Sequence, residues 1–439
     1  METVEEEACI KKSDEYGSVG RQVIAAMIAG LLQIFVGYNM SYSSILVPQL
    51  IDESNTTSID TSSTKISWIL SANALGMPLS GLVSGWVIDR LGRVTTMKIS
   101  SIPGTIGWLM MAIANSAEVI VIGRFISGFA TTFIVNSVYV YVGEVSKPSI
   151  RGTLLTSLSL SFSVGLFLMY VQGRYLHWRW VSWAAVVSTV VATVFLFFIP
   201  ESPLWLVSKN RIKQAKKALS WFFKVDDNDN AVDNKIKELV KENESKMQIQ
   251  KKVSLRTFAQ PTVYKPFLIL AGLFTLQRFS GVYVIIANAV VFFRKMGVTY
   301  DPYLVTIFLG VIRIVMSIIL SWLSKMFNRR TLLIVSGLGT AASLGSSALA
   351  TGWLQHDKSL TWLPVVLIIM CFVFSGCGLF AIPNVLLAEL FPLNVRGVMQ
   401  SLTGTTCHIM SFASLYTFNG SLEFLTALEA FNIFTLFRL

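Results

Sequence analysis

Apolar runs of about twenty residues recur along the whole chain, separated by short charged corners, and each run is long enough to cross a bilayer core as a helix. Eleven such spans are predicted, at approximately 23–47, 66–88, 96–115, 119–142, 153–173, 178–199, 266–292, 303–326, 331–354, 362–388 and 398–420. Six of them precede one large polar segment and five follow it. Within that segment Ile, Leu, Ala and Val alternate with charge at helical spacing, interrupted by the turn-forming run Asp226 to Asn230, so two or three short amphipathic helices are expected. The predicted organisation is an all-α polytopic membrane protein. It comprises a tail over 1–22, a six-helix bundle over 23–199, a helical loop over 200–265 and a second bundle over 266–439. The last helix of the second bundle reads as incomplete: the 16 residues Phe424 to Leu439 would reach roughly 24 Å as a helix, short of a core about 30 Å thick.

The corners between runs repeat. Glu144 is followed after six residues by Arg151-Gly152, and 245 residues later Glu389 is followed at the same spacing by Arg396-Gly397. A second pair keeps the same order: Asp89-Arg90-Leu91-Gly92-Arg93 in the first half, and Lys325 to Arg330, ending in Asn328-Arg329-Arg330, in the second. Charged corners recurring in order between long apolar runs indicate a duplicated bundle, the arrangement of many membrane transporters.

Composition agrees. Of the 439 residues 53% are hydrophobic and 14% charged, against about 25% charged in soluble domains, and the mean hydropathy is +0.61. A net charge of +11 does not point to nucleic acid, because 14 of the 36 Lys and Arg lie between Pro200 and Pro266. With an even six spans before the loop, one side of the membrane holds 26 Lys and Arg and the other six, which assigns the N-terminus and the large loop to the cytoplasm. The N-terminal tail has no cleavable signal pattern. The four cysteines, Cys9, Cys371, Cys377 and Cys407, form neither a disulfide framework nor a zinc spacing. No nucleophile–base constellation or phosphate-binding loop supports an enzyme, and no cofactor or metal is implied. The first outer loop contains Asn55-Thr56-Thr57, a glycosylation sequon.

These motifs resemble the sugar porter family of the major facilitator superfamily, in particular the branch of facilitated trehalose and facilitative glucose transporters. The likeness covers nearly the whole chain and is carried by Gly85 to Arg93, Gly123-Arg124, Glu144 to Gly152, Pro200-Glu201-Ser202-Pro203, Gln277 to Gly281, Asn328 to Arg330 and Glu389 to Gly397. Val94, Leu204 and Asn328 depart from residues usual in the family. The resemblance implies two six-helix bundles with the solute held midway between them, in a plasma-membrane carrier that works as a monomer. The charged corners Asp89, Arg90, Arg93, Glu144, Arg151, Glu201, Arg329, Arg330, Glu389 and Arg396 are then expected to pair across the bundles and latch the inner side.

The family's proton-coupled members carry an Asp after Gly-Tyr in the first span. This chain has Gly37-Tyr38-Asn39, and no Asp or Glu lies mid-span, so facilitated diffusion is expected. Of the family's sugar-binding amides only Gln277 is kept. Ser159, Arg278, Tyr283, Arg313, Asn384 and Cys407-His408 stand at the other positions, and with Asn288 they supply a rebuilt set of hydrogen-bonding groups. Arg278 and Arg313 are the sharpest departure. Each either lines a cationic cavity for an anionic or highly hydroxylated solute, or satisfies backbone carbonyls at a helix break near Gly281 or Gly310. Gly376, Gly378 and Pro383 should let span ten bend. The alternatives to a neutral-sugar carrier are a carrier of an anionic or other polar solute, a sugar receptor that does not transport, and an inactive truncated isoform.

Overall fold

In hydrocarbon a backbone must satisfy its own amides and carbonyls, which the apolar runs do by forming helices. The computed structural model describes residues 19–54, 59, 61–226, 230–250, 255–296, 300–354, 362–392 and 395–424, and every regular element among them is helical. The sequon residue Asn55 and residues 425–439 lie outside the described residues, as do the side chains of Glu389 and Arg396. The first half is built from α1 (Val19–Asp52), α2 (Ser63–Leu91), α3 (Arg93–Ala112), α4 (Ala117–Val145), α5 (Pro148–Tyr175) and α6 (Trp178–Phe195). The polar segment forms α7 (Pro203–Ser208), α8 (Ile212–Phe223), α9 (Asn230–Gln250) and α10 (Leu255–Phe258). The second half contains α11 (Pro261–Phe279), α12 (Val282–Lys295), α13 (Pro302–Met326), α14 (Arg329–Leu354), α15 (Trp362–Gly376), α16 (Ile382–Glu389) and α17 (Arg396–Phe424).

Among the described residues, eight helical segments are long and apolar enough to cross a membrane, against the eleven expected. The other three spans are helical but fall short for separate reasons. α3 carries Lys98 among Ser and Thr, α17 is Ser- and Thr-rich, and span ten is divided into α15 and α16. The loop holds four helices rather than two or three, because Ser202 caps an extra turn by accepting from the Trp205 amide with Pro203 at its start.

Helices of the first half approach closely through glycine. A Cβ on Gly37 of α1 would lie 2.3 Å from the Phe162 carbonyl oxygen, and one on Gly165 of α5 would lie 2.4 Å from the Ile34 carbonyl oxygen. Such close backbone contact replaces the hydrophobic drive that lipid does not supply. Around this contact packs a core of fully buried large side chains, among them Phe35, Tyr42, Trp108, Tyr141 and Trp178. The Tyr42 and Trp108 rings meet edge-on at 4.8 Å.

The two halves meet where α2 packs against α17, α5 against α13 and α1 against α12. The first two of these contacts join the second span of one half to the fifth of the other, which is the packing a duplication predicts. Small and polar groups dominate: a Cβ on Gly81 would meet Thr405 Oγ1 at 2.8 Å, Gly310 abuts Phe167, and the hydroxyls of Ser163 and Ser317 share a hydrogen bond of 3.0 Å.

Two spans are broken. Gly281, at φ +81°, separates α11 from α12, a conformation that favours glycine, and Asn288 leaves the helical region again at φ −128°. Residues 377–381 divide α15 from α16, at the glycines expected to bend span ten. Substituting Gly165→Val forces α1 and α5 apart, and overpacking of this kind costs about 1–3 kcal/mol or more. The expected outcome is a loss of monodisperse protein on size exclusion and a lowered melting temperature in detergent, whereas Gly152→Val, where a Cβ meets nothing within 4 Å, leaves both unchanged.

Candidate functional site

The breaks release backbone carbonyls, and Gln277 takes two of them. Its Nε2 donates to the Leu379 and Phe380 carbonyls at 2.9 and 3.0 Å, tying span seven to the break in span ten, while its buried Oε1 has no partner. Arg278 follows on the same helix. Its Nε and Nη2 donate to Cys407 Sγ at 3.3 and 3.1 Å, and its guanidinium lies 4.5 Å from the Tyr283 ring centre. Arg313 of α13 places its guanidinium 4.1 Å from the Phe380 ring centre and 5.4 Å from that of Phe162, and its buried Nε has no partner. Neither arginine donates to a carbonyl at a helix break, so that expectation is corrected: Gln277, Tyr170 and Asn384 do that work instead. His408 completes the group with a buried, unpartnered Nδ1.

Gln277, Arg278, Tyr283, Arg313 and His408, joined by Cys407, therefore surround one central region between α5, α11, α12, α13 and α17. Ser159 instead shares a hydrogen bond of 3.3 Å with the Tyr139 hydroxyl of α4, within the first half. Asn288 and Asn384 both give amide hydrogens to backbone carbonyls. Asn288 is buried and donates to the Val284 carbonyl of its own helix at 3.2 Å, and the exposed Asn384 donates to the Phe380 carbonyl at 3.2 Å. Both amides are drawn to carbonyls that the broken helices leave open.

Sequence reasoning passed over several residues here. Tyr170 of α5 donates its hydroxyl to the Ile286 carbonyl at 3.0 Å, and Ser44 of α1 accepts from the Val290 amide at 3.2 Å, so the kink at Asn288 is held from the opposite half. Gln172 donates to the Tyr38 hydroxyl at 2.9 Å and keeps an unpartnered Oε1. A signal existed for Gln172, an amide within an apolar span; for Ser44 there was none.

Among the described side chains, the charged corners of the first half pair with one another and with the start of the loop that follows. Arg93 binds Glu144 through Nη2 at 2.8 Å and Nε at 3.0 Å, and Asp89 through Nη1 at 3.2 Å. Glu201 caps α3, accepting from the amides of Arg93, Val94 and Thr95 at 2.9, 3.0 and 3.1 Å, where the helix dipole favours a carboxylate. Ser202 donates to Glu144, and the Trp205 indole donates to the Asp89 carbonyl at 2.8 Å. All of these lie in the first half and its following loop. The reason is geometric: Gly92, at φ +106°, turns the chain so tightly that the N-terminus of α3 opens onto Glu201. Arg90 stacks on Trp86 at 5.0 Å, Arg151 donates to the Ser146 carbonyl at 3.3 Å, and Arg329 and Arg330 are exposed at the start of α14.

Pairs that do cross between halves lie at the opposite end. Arg294 binds Asp52 with two parallel hydrogen bonds of 2.8 and 2.9 Å, and Arg174 binds Asp301. They join the ends of α1 and α12 and of α5 and α13. The structure is thus fastened between halves at the Asp52 end.

Two membrane bundles enclosing a polar central region define a carrier, and comparison with known proteins bears on which kind. Residues 22–439 match the family described as sugar (and other) transporter. The chain belongs to that family, a family of transporters rather than enzymes. It is 29% identical to the facilitated trehalose transporter Tret1 of Culex quinquefasciatus over 385 residues, 87% of this chain and 73% of that protein. It is 28% identical to the Tret1 of Drosophila pseudoobscura pseudoobscura over 432 residues, where it spans about half of the relative's length, 48%. Among solved structures, a partially occluded inward-open conformation of the xylose transporter XylE from E. coli superposes with a TM-score of 0.77 at 18% identity, covering 95% of this chain and 97% of that one. The proton:xylose symporter XylE bound to 6-bromo-6-deoxy-D-glucose superposes with a TM-score of 0.75, again at 18% identity, over 95% of this chain and 94% of that one. The all-α major facilitator fold is thereby established.

If the ion pairs at the Asp52 end hold the halves together, the double variant Arg174→Gln/Arg294→Gln loosens α12. Hydrogen–deuterium exchange of the peptide covering 282–296 is expected to rise at least fivefold; unchanged exchange would show that the pairs do not hold this end.

Proposed function

We propose that the chain is a facilitative carrier that moves a sugar of the trehalose or glucose kind across the plasma membrane by alternating access, without proton coupling. One observation carries the uncoupled reading. Asn39 is fully buried, donates through Nδ2 to Thr131 Oγ1 at 3.1 Å, and accepts on its carbonyl from Arg124 Nη1 at 3.0 Å. Arg124 also donates to the Ile69 carbonyl at 3.3 Å and to Ser43. The charge is dispersed over neutral acceptors, and no carboxylate lies mid-span among the described helices to exchange a proton.

The excess of Lys and Arg in the loop after the sixth span supports a cytoplasmic Arg93 end, with the fastened Asp52 end facing outward in an outward-closed state. Asn55 then lies on the outer side, open to glycosylation, and a single chain suffices for transport, with sugar and bilayer as its partners. The names of the trehalose-transporting relatives support the sugar, and the retained Gln277 supports hydrogen bonding to hydroxyls.

The test is uptake of labelled trehalose and glucose into proteoliposomes with and without an inward proton gradient. Saturable uptake with rates within twofold of each other is expected. Acceleration of threefold or more by external acid would contradict uncoupled transport, and the absence of saturable uptake of either sugar would contradict the choice of solute.

A further inference from the structure

The two arginines at the centre have no counter-charge. Arg278 lies against Cys407 and the Tyr283 ring, and Arg313 against the rings of Phe380 and Phe162, with no carboxylate beside either among the described residues. A guanidinium within a membrane is costly unless it is paired or hydrated. Arg124 shows how this chain compensates a cation it means to keep closed: three acceptors, on Asn39, Ile69 and Ser43, and 2% exposure. Arg278 and Arg313 are arranged otherwise. Arg278 has a single thiol as acceptor, and Arg313 lies over two aromatic faces with Nε unpartnered. Beside them, Gln277 Oε1 and His408 Nδ1 are buried and also without partners.

We propose that the polar central region between the halves takes an anionic hydroxylated solute, a sugar acid, whose carboxylate is recognised by Arg313 and Arg278. This inference keeps the alternating-access carrier proposed above and departs from it in the solute. The planar fork of a guanidinium matches a carboxylate with two parallel hydrogen bonds, which a neutral hydroxyl cannot reproduce. Gln277 Oε1 accepts from the solute's hydroxyls, and His408 Nδ1 exchanges a hydrogen bond with them. The ring of Phe380 orients the Arg313 fork from below. A carboxylate entering this site gives the guanidinium groups the counter-charge they lack, which a neutral sugar does not supply. The passenger then carries one negative charge, and its net flux follows the membrane potential.

The decisive comparison needs no variant: binding of glucuronate and of its neutral counterpart glucuronamide to the full chain in nanodiscs, with trehalose alongside. Glucuronate is expected to bind at least tenfold tighter than glucuronamide. In Arg313→Gln the preference falls below threefold, and in Arg313→Lys, which keeps the charge, most of it returns. In proteoliposomes, glucuronate uptake is expected to accelerate at least threefold when a valinomycin–potassium potential makes the interior positive. Glucuronamide or trehalose binding as tightly as glucuronate would overturn the inference and leave a neutral-sugar carrier standing. Glucuronate binding without saturable uptake of any solute would uphold the inference and overturn the carrier reading. Failure of all three to bind would overturn the inference, and the uptake of trehalose and glucose then decides the carrier reading separately.

Discussion

A helix in a bilayer can break only where other groups take the amides and carbonyls that the break releases. Spans seven and ten are both broken, and nearly every polar contact at the centre of the molecule answers that constraint. Gln277 holds the carbonyls of Leu379 and Phe380, Ser336 accepts from the Leu379 amide, Tyr170 takes the Ile286 carbonyl, and Ser44 takes the Val290 amide. The last two reach across from the first half. Irregular backbone is therefore tolerated at the centre because it borrows partners from the opposite bundle, and those partners are available only while the bundles are close. The broken spans are the parts of the second half whose satisfaction depends on where the first half stands.

Charge is distributed unevenly between the two ends. At the Arg93 end the ion pair of Arg93 with Glu144 is mostly buried, with side chains 10% and 15% exposed, and stays within one half. Removing one partner of such a pair costs about 3–5 kcal/mol, which suits a fixed joint. At the Asp52 end the pairs cross between halves and are more open, with Arg294 and Asp52 35% and 55% exposed. Exposed pairs contribute about 0–1 kcal/mol each, weak enough to separate on a change of state. The rigid corner and the weak clasp are thus different devices, although both are built from arginine and carboxylate.

The spans, their order and the duplication were legible because lipid imposes a length and a hydropathy that no tertiary contact overrides. The second-to-fifth seams follow from the same repeat. The corner residues were legible as a set, but their partners were not: a spacing marks Glu144 and Glu201 as special without saying that Gly92 turns α3 toward one and Arg93 toward the other. Asp52 and Arg294 went unnoticed because they are 242 residues apart and belong to no repeated motif. At the site, Gln277, Arg278, Arg313 and His408 were recognisable as polar groups where apolar ones are cheaper. Asn288 and Asn384 looked alike by the same criterion, and only the positions of the released carbonyls show that their amides are drawn back to their own helices.

The central claim is that the two halves rock about the central region, so that one end opens as the other closes. It is tested most directly by distances between nitroxide labels at two pairs of exposed positions, Tyr175 with Tyr300 at the Asp52 end and Leu91 with Met326 at the Arg93 end. Measured across a titration of solute, the two distances are predicted to change in opposite directions, one lengthening as the other shortens. Two distances that stay fixed, or that lengthen together, would contradict the account.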